Sequence, residues 1–142
     1  MAYSTGERFG TVINCIDGRA QQPASDWVRL NCGVEYVDAI TTPGADLLLS
    51  GEFNERAQRI KDKVLLSAKK HDSGIVAVVG HHDCSANQCD ESERKDQIQK
   101  AALQVRSWKT GLRVVGLFVN EWHSVEVVID TNDDYPPVRS YL

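Results

Sequence analysis

Two short stretches of this chain hold the residue types that can do metal chemistry. One is Val12-Ile13-Asn14-Cys15-Ile16-Asp17-Gly18-Arg19, the other Val78-Val79-Gly80-His81-His82-Asp83-Cys84. Each opens as an apolar run rich in β-branched residues and ends in thiol, imidazole or charged groups. Cys84 follows His81 by three residues, so one tight turn can present both to a single ion. If the two runs are neighbouring strands of a parallel sheet, Cys15 meets them at its carboxyl edge, where open α/β sheets place their ligands. Two thiolates and an imidazole suit zinc and leave a fourth position for water or Asp17. Magnesium and calcium would want oxygen ligands instead. Asp17 can ligate the metal or accept a hydrogen bond from metal-bound water. Arg19 can hold that carboxylate in a bidentate pair and keep it ionised. His82 and Asp83, beside the ligands, are placed where they could pass protons to solvent.

The elements that must bring these residues together read as alternating strands and helices. Residues 10–16 form a first strand that Gly18 breaks. Pro23 and Ser25-Asp26 then open a short helix carrying Trp27 and Leu30 to a stop at Gly33. Residues 35–41 make a second strand, ended by Thr42-Pro43-Gly44. Asp46 and the run Leu47-Leu48-Leu49 suit loop-to-helix packing or a dimer contact. A helix over about 52–71 has its stripe at Ala57, Ile60, Val64, Leu65 and Ala68 and is closed by Gly74. Residues 75–79 are the third strand, and Gly80 lets the backbone turn into the ligand loop. Asp90 with Glu93 caps a further helix, striped by Ile98, Ala101, Ala102, Val105 and Trp108 and stopped at Gly111. Strands at 112–119 and 124–130 are joined too tightly to be anything but antiparallel. The tail, Thr131 to Leu142, reads as an extended arm or surface wrap. The order β-α-β-α-β-α-β-β gives a single α/β domain over 1–142, with its core at about 10–130: an open, mostly parallel sheet flanked by helices, its last strand antiparallel.

Composition narrows the partners. Sixteen Lys+Arg against 20 Asp+Glu give a net charge of −4 with no basic patch, which argues against nucleic acid. The longest aliphatic run, Ile75 to Val79, is far too short to span a bilayer. The first residues show neither a basic start nor an apolar stretch, so the expected compartment is the cytoplasm. There the four cysteines would serve as thiols or metal ligands rather than disulfides.

Cys15-x-Asp17-x-Arg19 followed by Gly80-His81-x-x-Cys84 resembles the signature of the β-class carbonic anhydrases, over roughly residues 10–130. The resemblance implies a sheet order of about 2-1-3-4-5 and one Zn2+ per chain held by Cys15, His81 and Cys84. It implies Asp17 and Arg19 as the catalytic dyad. The activity would be reversible hydration of CO2 to bicarbonate by a hydroxide on that zinc. The partners would be this small substrate and further copies of the chain, as a homodimer or higher homo-oligomer. Relatives on this fold also hydrolyse carbonyl sulfide or carbon disulfide, and a non-catalytic zinc protein is a further alternative. The chain departs from the usual pattern at Gly18, at Thr41-Thr42-Pro43-Gly44 after the second strand, and at Ser85, so the metal site carries over better than the substrate pocket.

Overall fold

The computed structural model describes residues 7–134. Its elements are β1 (Phe9–Asn14), α1 (Gly18–Cys32), β2 (Tyr36–Thr41), α2 (Ala45–Ser50), α3 (Glu55–His71), β3 (Ile75–His81), α4 (Glu91–Ser107), β4 (Arg113–Val119), β5 (Val125–Asp130) and α5 (Thr131–Asp134). The strands form one sheet in the order β2-β1-β3-β4-β5. The first four are parallel and β5 runs antiparallel to β4, as the sequence pattern predicts.

The central strands are buried on both faces, so their side chains alternate between two apolar layers. Val76 and Val78 of β3 point into one layer with Ile13, Leu49, Ile60, Val64, Ala102 and Val105, under α2, α3 and α4. Ile75, Ala77 and Val79 point into the other with Ala20, Ala24 and Val28 of α1. Burial of this kind, worth roughly 1.5–3 kcal/mol per large aliphatic side chain, fixes the register of β1 against β3. That register sets where Cys15 and His81 stand.

Four local readings are corrected. The helix expected from Pro23 begins five residues earlier, at Gly18, because Asp17 caps it: the Asp17 carboxylate accepts the Arg19 backbone N–H at 2.9 Å. Pro23 lies inside α1, where tertiary packing of Ala20, Ala24 and Val28 outweighs its missing donor. Gly74 does not close α3; Asp72 does, in the left-handed conformation at φ 55°. The buried face of α3 carries Ala57, Ile60, Val64 and Ser67, whereas Leu65 is exposed. Finally, β3 runs two residues past Val79, so Gly80 and His81 belong to the strand. Gly80 is required for space rather than for a turn. A Cβ there would lie 2.5 Å from Asp46 Oδ2 and 2.7 Å from Ile98 Cδ1. As for the tail, Thr131–Asp134 form a helical turn, and the rest of the arm expected to Leu142 lies outside the described residues.

Candidate metal centre

Cys15 is the first residue past β1 and His81 is the last of β3, and these strands are paired neighbours. The chain then turns within three residues to Cys84. Asp83 makes that turn possible by adopting φ 57°, a left-handed conformation that aspartate tolerates better than most residues. One ligand atom from each of Cys15, His81 and Cys84 lies within 4.8 Å of the others, and all three residues are buried. The two sulfurs are 3.9 Å apart.

The state of His81 follows from its partner. Nδ1 lies 2.8 Å from the His82 carbonyl oxygen, which can only accept, so Nδ1 carries the proton. Nε2 is then a bare lone pair, buried and without a hydrogen-bond partner among the described residues. An orphaned buried acceptor costs about 1–3 kcal/mol unless something pairs with it. Here it sits beside two buried thiols, and a thiophilic cation would satisfy all three. Without one, burial pushes the Cys84 thiol up from its ordinary pKa, with the neighbouring Cys15 adding to the rise.

Asp17 and Arg19 open α1 directly after Cys15. The guanidinium meets the carboxylate edge-on, Nε at 3.0 Å from Oδ1 and Nη2 at 2.6 Å from Oδ2. These bonds, with the Arg19 backbone N–H, hold the Asp17 carboxyl well below the usual carboxylate range, so it is an obligate acceptor at any working pH. The Arg19 guanidinium is raised in turn, first by Asp17 and then by Asp83. A small cavity of about 40 Å³ beside Arg19 and His81 is walled by His82, Val119, Asn120, Glu121 and His123. His123 therefore reaches the mouth of the site, while Trp122 projects outward at 75% exposure.

Three features of the site escaped the sequence reading. Asp83 pairs with Arg19, at 3.3 Å from Nη1. Arg94, fully inside α4's buried face, donates to the carbonyls of His81, Asn87 and Cys89 and so cinches both ends of the ligand loop. Asp46, also buried, accepts from Asn87 Nδ2 at 3.1 Å, and its pKa is raised chiefly by that burial. A signal for Arg94 was present: it falls one turn before Ile98 on the apolar stripe of α4, where a charge needs buried partners.

A family model described as "Putative carbonic anhydrase" matches residues 5–129 of this chain. The chain belongs to that carbonic anhydrase family. Among solved structures, the β-carbonic anhydrase isoform I of Trichomonas vaginalis shares its fold, with a TM-score of 0.57 at 14% identity over 84% of this chain and 82% of that one. Tetrameric β-carbonic anhydrases of Sordaria macrospora give 0.45 at 12% identity, covering 87% and 82%. The β-carbonic anhydrase of Aspergillus fumigatus gives 0.46 at 14%, covering 87% and 76%. No curated protein matches in sequence. The family and the β-class fold are thus shared, and the five-stranded order 2-1-3-4-5 accords with both. Among the described residues no helix is long and apolar enough to cross a membrane.

Proposed function

We propose that this protein is a zinc enzyme that reversibly hydrates CO2 to bicarbonate, with Cys15, His81 and Cys84 as the metal ligands and Asp17 and Arg19 as the catalytic dyad. The observation that carries the reading is the cluster of two buried thiols around an imidazole nitrogen that has no partner among the described residues. The donor set is the one zinc prefers, with a fourth position left to the reaction. Bound there, zinc would supply the Lewis acidity that makes water a nucleophile near neutral pH.

The remaining work falls to side chains of this chain. His81 keeps its proton on Nδ1, against the His82 carbonyl, which leaves Nε2 as the nitrogen that would hold the ion. The Asp17 carboxylate cannot be protonated in the working range, so it accepts a hydrogen bond from the reacting water and orients its remaining lone pair. Arg19 fixes that carboxylate in place, which would keep it from turning onto a bound ion. Cytoplasmic location and self-association belong to the same proposal. Ile16 and Trp122, exposed at 62% and 75%, each adjoin a residue of the site, and a second copy of the chain is the partner that would cover them.

The test is metal analysis with stopped-flow CO2 hydration on the purified full chain, beside a sulfide-release assay with carbonyl sulfide. One zinc per chain and CO2 turnover are expected, and Cys84→Ser should lose both. Stoichiometric zinc with no CO2 turnover would refute the reaction, and sulfide release would then assign the related hydrolysis. Sedimentation velocity reads the oligomer, where a monomer at micromolar concentration would remove the partner copy.

A further inference from the structure

We infer that Asp83 is a positioning residue, which shares Arg19 with Asp17 and so straps the start of α1 to the turn between two of the proposed metal ligands. The inference rests on the metal-site reading above.

The geometry is that of a guanidinium held at both ends. Nε and Nη2 face Asp17, Nη1 lies 3.3 Å from Asp83 Oδ2, and Nη2 also lies 3.1 Å from the Asp83 carbonyl oxygen. All three nitrogens are engaged, although the Arg19 side chain is half exposed. An arginine with a partner on one side only can pivot about its long stem. Here the second partner comes from a different strand end, because Asp17 follows β1 and Asp83 follows β3. The strap therefore fixes the plane of the guanidinium relative to the ligands as well as to Asp17. The left-handed backbone of Asp83 aims its carbonyl and its carboxylate at the same guanidinium. A residue at this position thus has two separable tasks: to adopt the turn and to hold Arg19.

Substitution separates them. Asp83→Gly keeps the left-handed turn, since glycine adopts it freely, and removes the carboxylate. Asp83→Asn keeps an acceptor oxygen and tolerates the same conformation. The experiment uses the full chain loaded with zinc. It measures the Arg19 side-chain N–H resonances by NMR, the zinc content, and the kcat and KM of CO2 hydration. In the parent, restricted rotation should give resolved Arg19 Nη resonances. In Asp83→Gly these should merge while zinc stays at one per chain. Turnover should fall about tenfold in kcat with KM little changed, as expected of a misaligned group rather than a lost one. Asp83→Asn should restore most of both readouts. Unchanged Arg19 resonances in Asp83→Gly would overturn the strap, and so would loss of zinc, which would make Asp83 a support of the turn alone. If the parent binds zinc but hydrates no CO2, the proposed function fails, and the Arg19 resonances still decide the strap.

Discussion

Asp17 has two partners with different requirements. As the cap of α1 it needs only an oxygen that accepts the Arg19 backbone N–H. As the partner of the Arg19 guanidinium it needs a charge. Asparagine caps helices as well as aspartate does. Asp17→Asn should therefore keep the cap and cost only about 1 kcal/mol for the lost ion pair, while turnover falls by roughly a hundredfold or more. Asp17→Ala should lose a further ~1 kcal/mol of stability along with the activity. Urea unfolding beside stopped-flow assays reads both. An Asp17→Asn variant at full activity would remove the carboxylate from the mechanism. The depressed pKa of Asp17 adds that no change in rate above about pH 5 can come from its own titration. The meeting of Cys15, His81 and Cys84, and the pairing of Asp17 with Arg19, were legible in the sequence because few arrangements of thiols and imidazole make sense at the ends of buried strands. The cap was not, because a carboxylate singled out for chemistry was not also weighed as the start of a helix.

Periodicity revealed most of the elements, since β1, β3 and β4 are buried on both faces and read as mostly apolar runs, with Thr11 and Asn14 the buried polar exceptions in β1. It failed where tertiary contacts decide, as at Pro23 within α1 and at the end of β3. Arg94 and Asp46 were hidden for a related reason, because what each holds depends on how α2 and α4 pack across β3. Lys95 shows how α4 is pinned to the sheet edge. Its ammonium lies 2.9 Å from Glu126 of β5 and 3.0 Å from Glu91, over the Phe118 ring. The pair lowers the Glu126 pKa, chiefly through the Lys95 hydrogen bond, and raises that of Lys95, chiefly through Glu126. The depressed carboxyl adds stability above its ordinary 4.5, lost as pH falls through its folded value. The raised ammonium adds stability below its ordinary 10.5, lost as pH rises through its folded value. Both side chains are about a third or more exposed, so solvent screening leaves the pair worth about 0.5 kcal/mol. Lys95→Met should cost that much at pH 7 and progressively less as pH falls through the folded value of Glu126, where that carboxylate loses its charge. A pH-independent difference in urea unfolding would assign the effect to packing on Phe118 instead.

For the whole molecule, the two apolar layers are complete without the metal centre, since neither draws on Cys15, His81 or Cys84. The ligands come from the ends of two strands already paired with each other, so a metal ion would join parts of the chain that the sheet holds close. The segment from His82 to Asp90 is different. It has no helix or strand, and is held by side-chain bonds from Arg94, by Asn87 to Asp46 and Gln97, by Arg19 at Asp83 and by the His82 backbone bond to Val119. If the site holds zinc as proposed, stripping it should loosen this loop without unfolding the domain, unlike small zinc modules whose fold is the binding site. Zinc present at about a thousandfold its Kd adds roughly 4 kcal/mol to the folded state, so chelation should lower Tm by about 10 °C while the far-ultraviolet circular dichroism stays. Amide exchange should quicken across 82–90, where local opening then costs least, and stay slow in β1, β3 and β4. Exchange that rises uniformly along the chain on chelation would mean that the ion holds the sheet itself together, and the division between a self-sufficient core and a metal-ordered loop would be wrong.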